Sequence, residues 1–422
     1  MPPPRLAPNP AAVLHAALLR ASSSSCGLPP RLSFNSLLAA AAASPHPRLR
    51  ALALPALALA HAAGRVPLDS YALCSALRST PSSTAAEPLH ALAAKSGWLG
   101  SVFVSCALAA SYGGSGQFLD ARRLFDESPA KNGVFGNTVL AAYVGAGDWT
   151  PALEFARRFW ELGLRVDGYT MTAVVRACGE VADANLSVQA HGHAIRRVGG
   201  VESDMFLTSA LVDMYAKCGL VSHAERVFGL AQENAGGGDV VLWTAMLNAY
   251  GRHGQCKEVI RMYDLMVASG VHPDELTMLA VLSACQHAGE VVKGLKYFES
   301  MRADYGLVPT SEHYGCVVNV LSRAGEVAKA WEITGGSCGG EIGVSTWGAL
   351  LSACRDCGNV EVGRMAAQKA IELEPDSVGI YIELSNLYAR AGLWEEIDKL
   401  RQVMKEKGLE KDVGFTWVDN GS

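Results

Sequence analysis

Apolar residues recur along this chain at helical spacing, in segments that end at a glycine. In ALVDMYAKCG, Leu211 and Tyr215 fall on one helical face and Gly219 marks the helix end. After a short turn, a second segment places an aromatic residue four positions after a small one, as in Ala224 and Phe228. The pattern predicts pairs of helices joined by short turns.

The residue four positions before this glycine has counterparts along most of the chain. Successive counterparts are separated by 31, 35, 37, 35, 35, 36, 33 and 34 residues. A period near 35 predicts a repeat architecture in which each hairpin buries its apolar face against its neighbours. We therefore expect an all-α fold of helix-turn-helix repeats, stacked into a right-handed superhelical solenoid with a long concave groove. The marker residues are Tyr112, Tyr143, Cys178, Tyr215, Tyr250, Cys285, Leu321, Cys354 and Tyr388.

Composition supports a folded chain without a membrane segment. Half of the 422 residues are hydrophobic and 18% are charged, which permits a large core. No apolar run reaches the length of a membrane-spanning helix, so we expect no membrane partner. The eleven cysteines are odd in number and unevenly spaced, which favours reduced, mostly buried thiols.

Charge is distributed unevenly. Residues 1–68 contain six arginines, no lysine and no acidic residue, and Asp69 is the first acid. This Ser-rich start with the short helical segment AAVLHAALLRA is typical of an organelle transit peptide, which we assign to residues 1–30, or otherwise of a flexible N terminus. The rest of the chain has 30 basic and 41 acidic residues, so nucleic-acid binding would need a local stripe of charge.

The recurring sequence words differ from the tetratricopeptide pattern. VVLWTAMLNAYGRHG, STWGALLSACRDCG and YIELSNLYARAGLWEEIDKLRQVMKEKGLEKDVGFTW closely resemble the plant pentatricopeptide repeat (PPR) family, in its class with alternating P, L and S motifs. Spacing and resemblance together divide residues 31–344 into a PPR array, followed by motifs of the E type and a tail at 413–422. The boundaries are P 31–69, L 70–101, S 102–132, P 133–167, L 168–204, S 205–239, P 240–274, L 275–310, S 311–344, E1 345–378 and E2 379–412.

The resemblance implies that each P or S motif selects one RNA base through its fifth and last residues, here called the base-reading pair. Asn with Asp favours U, and Thr or Ser with Asp favours G, so the expected word is U, an unread base, G, G from 5′ to 3′. The same residue types also cap helices, and capping is the alternative role for them. The pairs that match best are Asn137 with Asp167, Ser209 with Asp239, and Thr244 with Asp274; Asn35 with Asp69 and Cys106 with Asn132 match less well.

A row of basic side chains follows the markers by two residues. At the repeat period they would lie along one edge of the solenoid and could contact RNA phosphates. The alternative is ordinary basic residues at helix C termini. The row consists of Lys217, Arg252, His287, Arg323 and Arg390.

The sequence also contains part of a zinc-deaminase signature, in His223-Ala224-Glu225 and in the cysteines Cys354 and Cys357. The two parts are 131 residues apart, in repeats that an open solenoid keeps separate. We therefore expect no metal, no cofactor and no catalytic residue, and we expect His223 to pack or to face solvent.

The resemblance implies a non-enzymatic specificity factor that binds single-stranded organelle RNA and recruits a trans-acting, DYW-type cytidine deaminase and other editing factors for C-to-U editing. The chain stops just past E2, so we expect no deaminase domain of its own. Splicing, processing or stabilisation of an organelle transcript is one alternative, and a tetratricopeptide-like protein scaffold is another. The expected compartment is the mitochondrion, with the chloroplast as the alternative.

Overall fold

The computed structural model describes residues 38–44, 50–51, 53–62, 69–79, 83–201, 204–235, 239–335 and 342–409. These residues form helices and turns, and no strand occurs among them. A 3-10 turn, Trp98–Gly100, lies between α3 and α4. The α-helices are α1 (Ala53–Ala62), α2 (Ser70–Ser79), α3 (Ser83–Lys95), α4 (Val102–Gly114), α5 (Phe118–Glu127), α6 (Gly133–Ala146), α7 (Trp149–Glu161), α8 (Gly168–Val181), α9 (Ala184–Arg197), α10 (Met205–Lys217), α11 (Val221–Ala235), α12 (Val240–Arg252), α13 (Cys256–Ala268), α14 (Glu275–Ala288), α15 (Val291–Ala303), α16 (Ser311–Arg323), α17 (Val327–Gly335), α18 (Val344–Cys357), α19 (Val360–Leu373), α20 (Val378–Arg390) and α21 (Trp394–Glu406).

From α2 onwards the helices alternate as the first and second helix of successive hairpins, which confirms the predicted all-α repeat fold. Eight first helices, from α2 to α16, begin at the first residue of a predicted motif, and α18 and α20 begin one residue before the predicted starts of E1 and E2. Among the described helices, none is both long enough and apolar enough to cross a bilayer.

The first helix of most hairpins ends where a glycine adopts a left-handed backbone conformation. The eight glycines four residues after a marker have φ between 67° and 80°, a region that glycine enters without steric cost. In the copy marked by Cys178 the corresponding residue is Ala182, with φ 56°. Among the described residues other than glycine, Ala182 alone has a positive φ.

Substituting Ala182 by glycine is expected to stabilise the chain. A left-handed conformation costs an L-residue about 1–2 kcal/mol, and the extra freedom of glycine in the unfolded chain offsets about 0.5–1 kcal/mol of that gain. A net increase of up to about 1 kcal/mol in the free energy of unfolding should appear in denaturant titrations followed by circular dichroism. The matched substitution Gly147→Ala, at the equivalent position, should lower it; the same sign for both variants would contradict the argument.

The chain divides within α10 into two compact units, one ending at Leu207 and the other starting at Thr208. In the first unit α2, α4 and α6 each pack on the second helix of their own hairpin and on the first helix of the next, as α4 packs on α5 and α6. Phe125 lies at the centre of this packing, fully buried, with ring centroids 5.0 Å from Phe135 and 5.1 Å from Phe155 in edge-to-face geometry. The aromatic residue that recurs in the second helices is therefore a core residue in this hairpin.

The second unit repeats this packing, with α12, α14, α16, α18 and α20 contacting one another in sequence. Its marker residues are buried without exception, from Cys285, Leu321 and Cys354 at 0% exposure to Tyr388 at 6%. Burial raises the pKa of the Cys285 and Cys354 thiols to about 12, so both remain protonated and act as small apolar side chains.

Candidate nucleic-acid interface

The pair Asn137–Asp167 is assembled at the junction between one hairpin and the next. Asn137 is the fifth residue of α6, and Asp167 immediately precedes α8. The Asn137 side chain is 8% exposed, and its Nδ2 donates to Oδ1 and Oδ2 of Asp167 at 3.3 and 3.4 Å. The structure thus brings together two residues that are 30 positions apart in the sequence.

Asp167 also caps α8, because its Oδ1 accepts the backbone N–H of Thr170 at 2.8 Å. The fully buried Thr170 hydroxyl lies 2.8 Å from the same carboxylate oxygen and 2.7 Å from Asn137 Oδ1. Burial alone would raise the pKa of the Asp167 carboxyl, but the hydrogen bonds from the Thr170 backbone and hydroxyl and from Asn137 hold that pKa below its ordinary value. Capping and pairing with Asn137 therefore occur together at one carboxylate.

The same arrangement recurs in the second unit around Thr244 and Asp274. Thr244 is the fifth residue of α12, and Asp274 caps α14 through the backbone N–H of Thr277 at 2.8 Å. The Thr277 hydroxyl donates to Asp274 Oδ1 at 2.7 Å and lies 2.7 Å from the Thr244 hydroxyl. Thr244 and Asp274 are linked through Thr277 rather than directly.

The third pair, Ser209 with Asp239, lacks this link. The third residue of α12 is Leu242, which has no polar side-chain atom. Ser209 Oγ is buried, with no hydrogen-bond partner among the described residues. Asp239 precedes α12 but makes no side-chain cap.

The two weaker pairs are only partly described. Asn35 lies outside the described residues, and its partner Asp69 caps α2 by accepting the Ala72 N–H at 2.8 Å. Asn132 caps α6 through Phe135 N–H at 2.9 Å. Cys106 and Asn132 line one surface cavity of about 1260 Å³ in the first unit, and burial raises the pKa of the Cys106 thiol.

A second feature of the first helices was not predicted. The second residue of seven successive first helices is a large apolar side chain that is exposed, from 49% at Val241 to 79% at Phe103. Their spacing equals the repeat period, which was visible in the sequence, but apolar residues were assigned to the core. Three of them line the cavity that also contains Cys106 and Asn132. The row consists of Tyr71, Phe103, Val134, Tyr169, Phe206, Val241 and Leu276.

Most of the proposed phosphate-contacting side chains have protein partners. Lys217 pairs with Asp213, and Arg252 lies 3.9 Å from the other oxygen of the same carboxylate. Arg390 lies 3.7 Å from Asp356, Arg323 donates to the Gln286 carbonyl at 3.1 Å, and His287 is exposed. Each pairing removes part of the positive field that would attract a phosphate, so a phosphate role for this row stays a prediction.

His223 and Glu225, from the sequence that resembles part of a zinc-deaminase signature, make contacts with tyrosine side chains. The His223 ring packs on Tyr215, with centroids 5.2 Å apart, and Glu225 accepts a 2.9 Å hydrogen bond from the Tyr250 hydroxyl. Burial, together with that carboxylate, raises the pKa of Tyr250 to about 12. In the part of the chain that the structure describes, no three His, Cys, Asp or Glu side chains come together as metal ligands.

Comparisons with known protein families agree with the repeat assignment. A family model described as PPR repeat matches residues 207–234, a second described as PPR repeat family matches residues 238–287, and one described as E motif matches residues 357–419. A putative pentatricopeptide repeat-containing protein of Arabidopsis thaliana is 32% identical in an alignment of 393 positions that covers 85% of this chain and 90% of that protein.

Other relatives are longer. A mitochondrial pentatricopeptide repeat-containing protein of Arabidopsis thaliana is 34% identical over 83% of this chain and 54% of its own length. A chloroplastic one is 33% identical over 79% of this chain and 38% of its own length. The chain thus spans about half or less of these relatives.

Among solved structures, the fold is similar to that of the pentatricopeptide repeat protein PPR10, crystallised in complex with an 18-nucleotide psaJ RNA element. The TM-score is 0.68 at 16% identity, covering 94% of this chain and 60% of that one.

Proposed function

Because this chain belongs to the pentatricopeptide repeat family, we propose that it is a sequence-specific, single-stranded RNA-binding factor of a plant organelle. It selects transcript sites for C-to-U editing and recruits a cytidine deaminase supplied by another protein. The chain itself acts by binding and not by catalysis.

The RNA-binding proposal is based on one recurring feature of the motifs. The fifth residue of a motif and the last residue of the same motif meet where that motif joins the next. Asn137 with Asp167 and Thr244 with Asp274 place polar groups at one register of two separate motifs. Repeat proteins of this kind bind one base per repeat through two or three side chains. The exposed apolar second residues supply surfaces on which unpaired bases stack.

The editing role is supported by the match to the E motif over residues 357–419. We propose that α18 to α21 bind the deaminase and other editing factors. Relatives named as mitochondrial and as chloroplastic support an organelle, and we propose the mitochondrion, with the chloroplast as the alternative.

RNA binding is tested with the purified chain and short single-stranded RNAs. We expect tighter binding to RNA containing U-n-G-G than to an RNA of the same composition with the word scrambled, and weaker binding at higher salt. Equal affinity for both RNAs would remove the base-reading assignment, and no binding at any salt concentration would favour a protein scaffold.

The editing role is tested by sequencing organelle RNA from plants with and without the protein. Loss of editing at one or a few cytidines that follow a U-n-G-G word is the expected result. Intact editing with altered splicing or transcript ends would replace the editing role by one in RNA processing.

A further inference from the structure

In two places, both members of a base-reading pair contact a third side chain. This side chain is the third residue of the first helix in the next motif. Thr170 and Thr277 are both fully buried third residues of a first helix, and each hydroxyl contacts the last and the fifth residue of the preceding motif. A buried hydroxyl that makes two hydrogen bonds fixes the positions of both partners.

At Thr277 the direction of the hydrogen bonds is determined. An ionised carboxylate has no hydrogen to give, so the Thr277 hydroxyl must donate to Asp274 Oδ1 across their 2.7 Å contact. A hydroxyl carries one hydrogen, so Thr244 must be the donor in its 2.7 Å contact with Thr277. Thr244 Oγ1 then has only lone pairs left for a ligand.

We propose that Thr277 is a positioning residue that transmits the negative charge of Asp274 to Thr244 and fixes Thr244 as a hydrogen-bond acceptor. This inference rests on the proposed RNA-binding function. An acceptor placed opposite N1 of the base favours guanine, whose N1 carries a hydrogen, over adenine, whose N1 is itself an acceptor. Thr170 has the equivalent place beside Asn137, where its single hydroxyl hydrogen is shared between two acceptors, Asp167 Oδ1 and Asn137 Oδ1, while the Asn137 amide nitrogen donates to Asp167.

Two other junctions provide internal controls. At Ser209 the following third residue is Leu242, and the serine hydroxyl has no partner among the described residues, so nothing there fixes the direction of its hydrogen. Thr346 is the third residue of α18, and its Oγ1 would lie 3.4 Å from a Cβ built on Gly315, the fifth residue of α16. Thr346 thus faces a fifth residue that has no side chain to position.

The experiment measures the Kd of the full chain for two RNAs that contain U-n-G-G and U-n-G-A, which differ only at the base assigned to Thr244. The wild type should prefer guanine. Thr277→Val keeps the shape and removes the hydroxyl, so the preference should fall by about five- to tenfold, the contribution of one oriented hydrogen bond. Thr277→Ser should restore it, and Thr346→Val should leave it unchanged.

A Thr277→Val protein with the wild-type preference would overturn the proposal, as would an equal loss in Thr346→Val, which would indicate general destabilisation. A wild type that binds but does not discriminate at this base would instead remove the base-reading assignment on which the proposal rests.

A second variant tests the same mechanism without touching Thr277. Leu242→Thr places a hydroxyl between Ser209 and Asp239 and should increase the preference for guanine over adenine at the preceding base of the word. An unchanged preference in a variant that retains the wild-type circular dichroism spectrum would contradict the proposal.

Discussion

Replacing Phe206 by alanine is expected to weaken binding of U-n-G-G RNA by about five- to 150-fold, which corresponds to about 1–3 kcal/mol per stacked base. Phe206 is the second residue of α10, and 77% of its surface is exposed. A side chain this exposed contributes little to folding, so the loss should appear in Kd and not in the melting temperature. Fluorescence anisotropy with labelled RNA measures the first, and circular dichroism the second.

The matched control is Val292→Ala. Val292 is 81% exposed and is also the second residue of its helix, but α15 is the second helix of its hairpin. We expect no change in Kd for this variant. Equal losses at both positions would show that exposed apolar area in general, and not the row on the first helices, contributes to binding. An unchanged Kd in Phe206→Ala would exclude stacking at this repeat.

The repeat fold could be predicted from the sequence because burial repeats at a fixed interval. Tyr215, Tyr250 and Cys285 are at most 4% exposed and lie 35 residues apart, since each occupies the same place in its hairpin. The glycine that follows each of these three markers ends the helix for a local backbone reason. A pattern that depends on local conformation and on contacts between adjacent hairpins is visible in one sequence.

The exposed row could not be recognised in the same way. A binary pattern assigns apolar residues to the core, and Phe103 and Tyr169 are apolar but lie 79% and 62% exposed. Only the position of each at the second residue of a first helix distinguishes it from the core. The predicted motif boundaries already placed each of them second in its motif, but a pattern of apolar and polar residues carries no information on exposure, so the row was missed.

Side-chain partners explain the other differences. The roles of Thr170 and Thr277 depend on hydrogen bonds that cross a motif boundary, more than 30 residues from Asn137 and Thr244. The ion pair of Lys217 was visible in principle, because Asp213 precedes it by four residues and helical residues at that spacing are neighbours. Its effect on the predicted phosphate row was missed because the row was defined by the spacing of basic residues alone.

The close approach of α7 to α6, next to the proposed base-reading residue Asn137, makes Gly136 the position where a single methyl should cost most. Gly136 precedes Asn137 on α6, and a Cβ built on it would overlap ring carbons Cε2 and Cδ2 of Phe159, a side chain of α7 that is 1% exposed. The ring cannot move without opening the core, so Gly136→Ala should lower the free energy of unfolding by about 2 kcal/mol or more. Since the displacement begins beside Asn137, it should also reduce the preference for U at the first base of the word.

The control lies in the same helix. Gly145 is helical as well, and a Cβ there meets nothing within 4 Å. Gly145→Ala should therefore raise the free energy of unfolding by about 0.5–1 kcal/mol, because alanine restricts the unfolded chain and favours helix. Denaturant titrations of both variants, together with the Kd for RNAs that carry U or C at the first base, test the two expectations. Stabilisation by Gly136→Ala would mean that α6 and α7 are farther apart than in this structure. If Gly136→Ala is destabilised but keeps its preference for U, the packing of this hairpin does not influence the proposed base selection by Asn137.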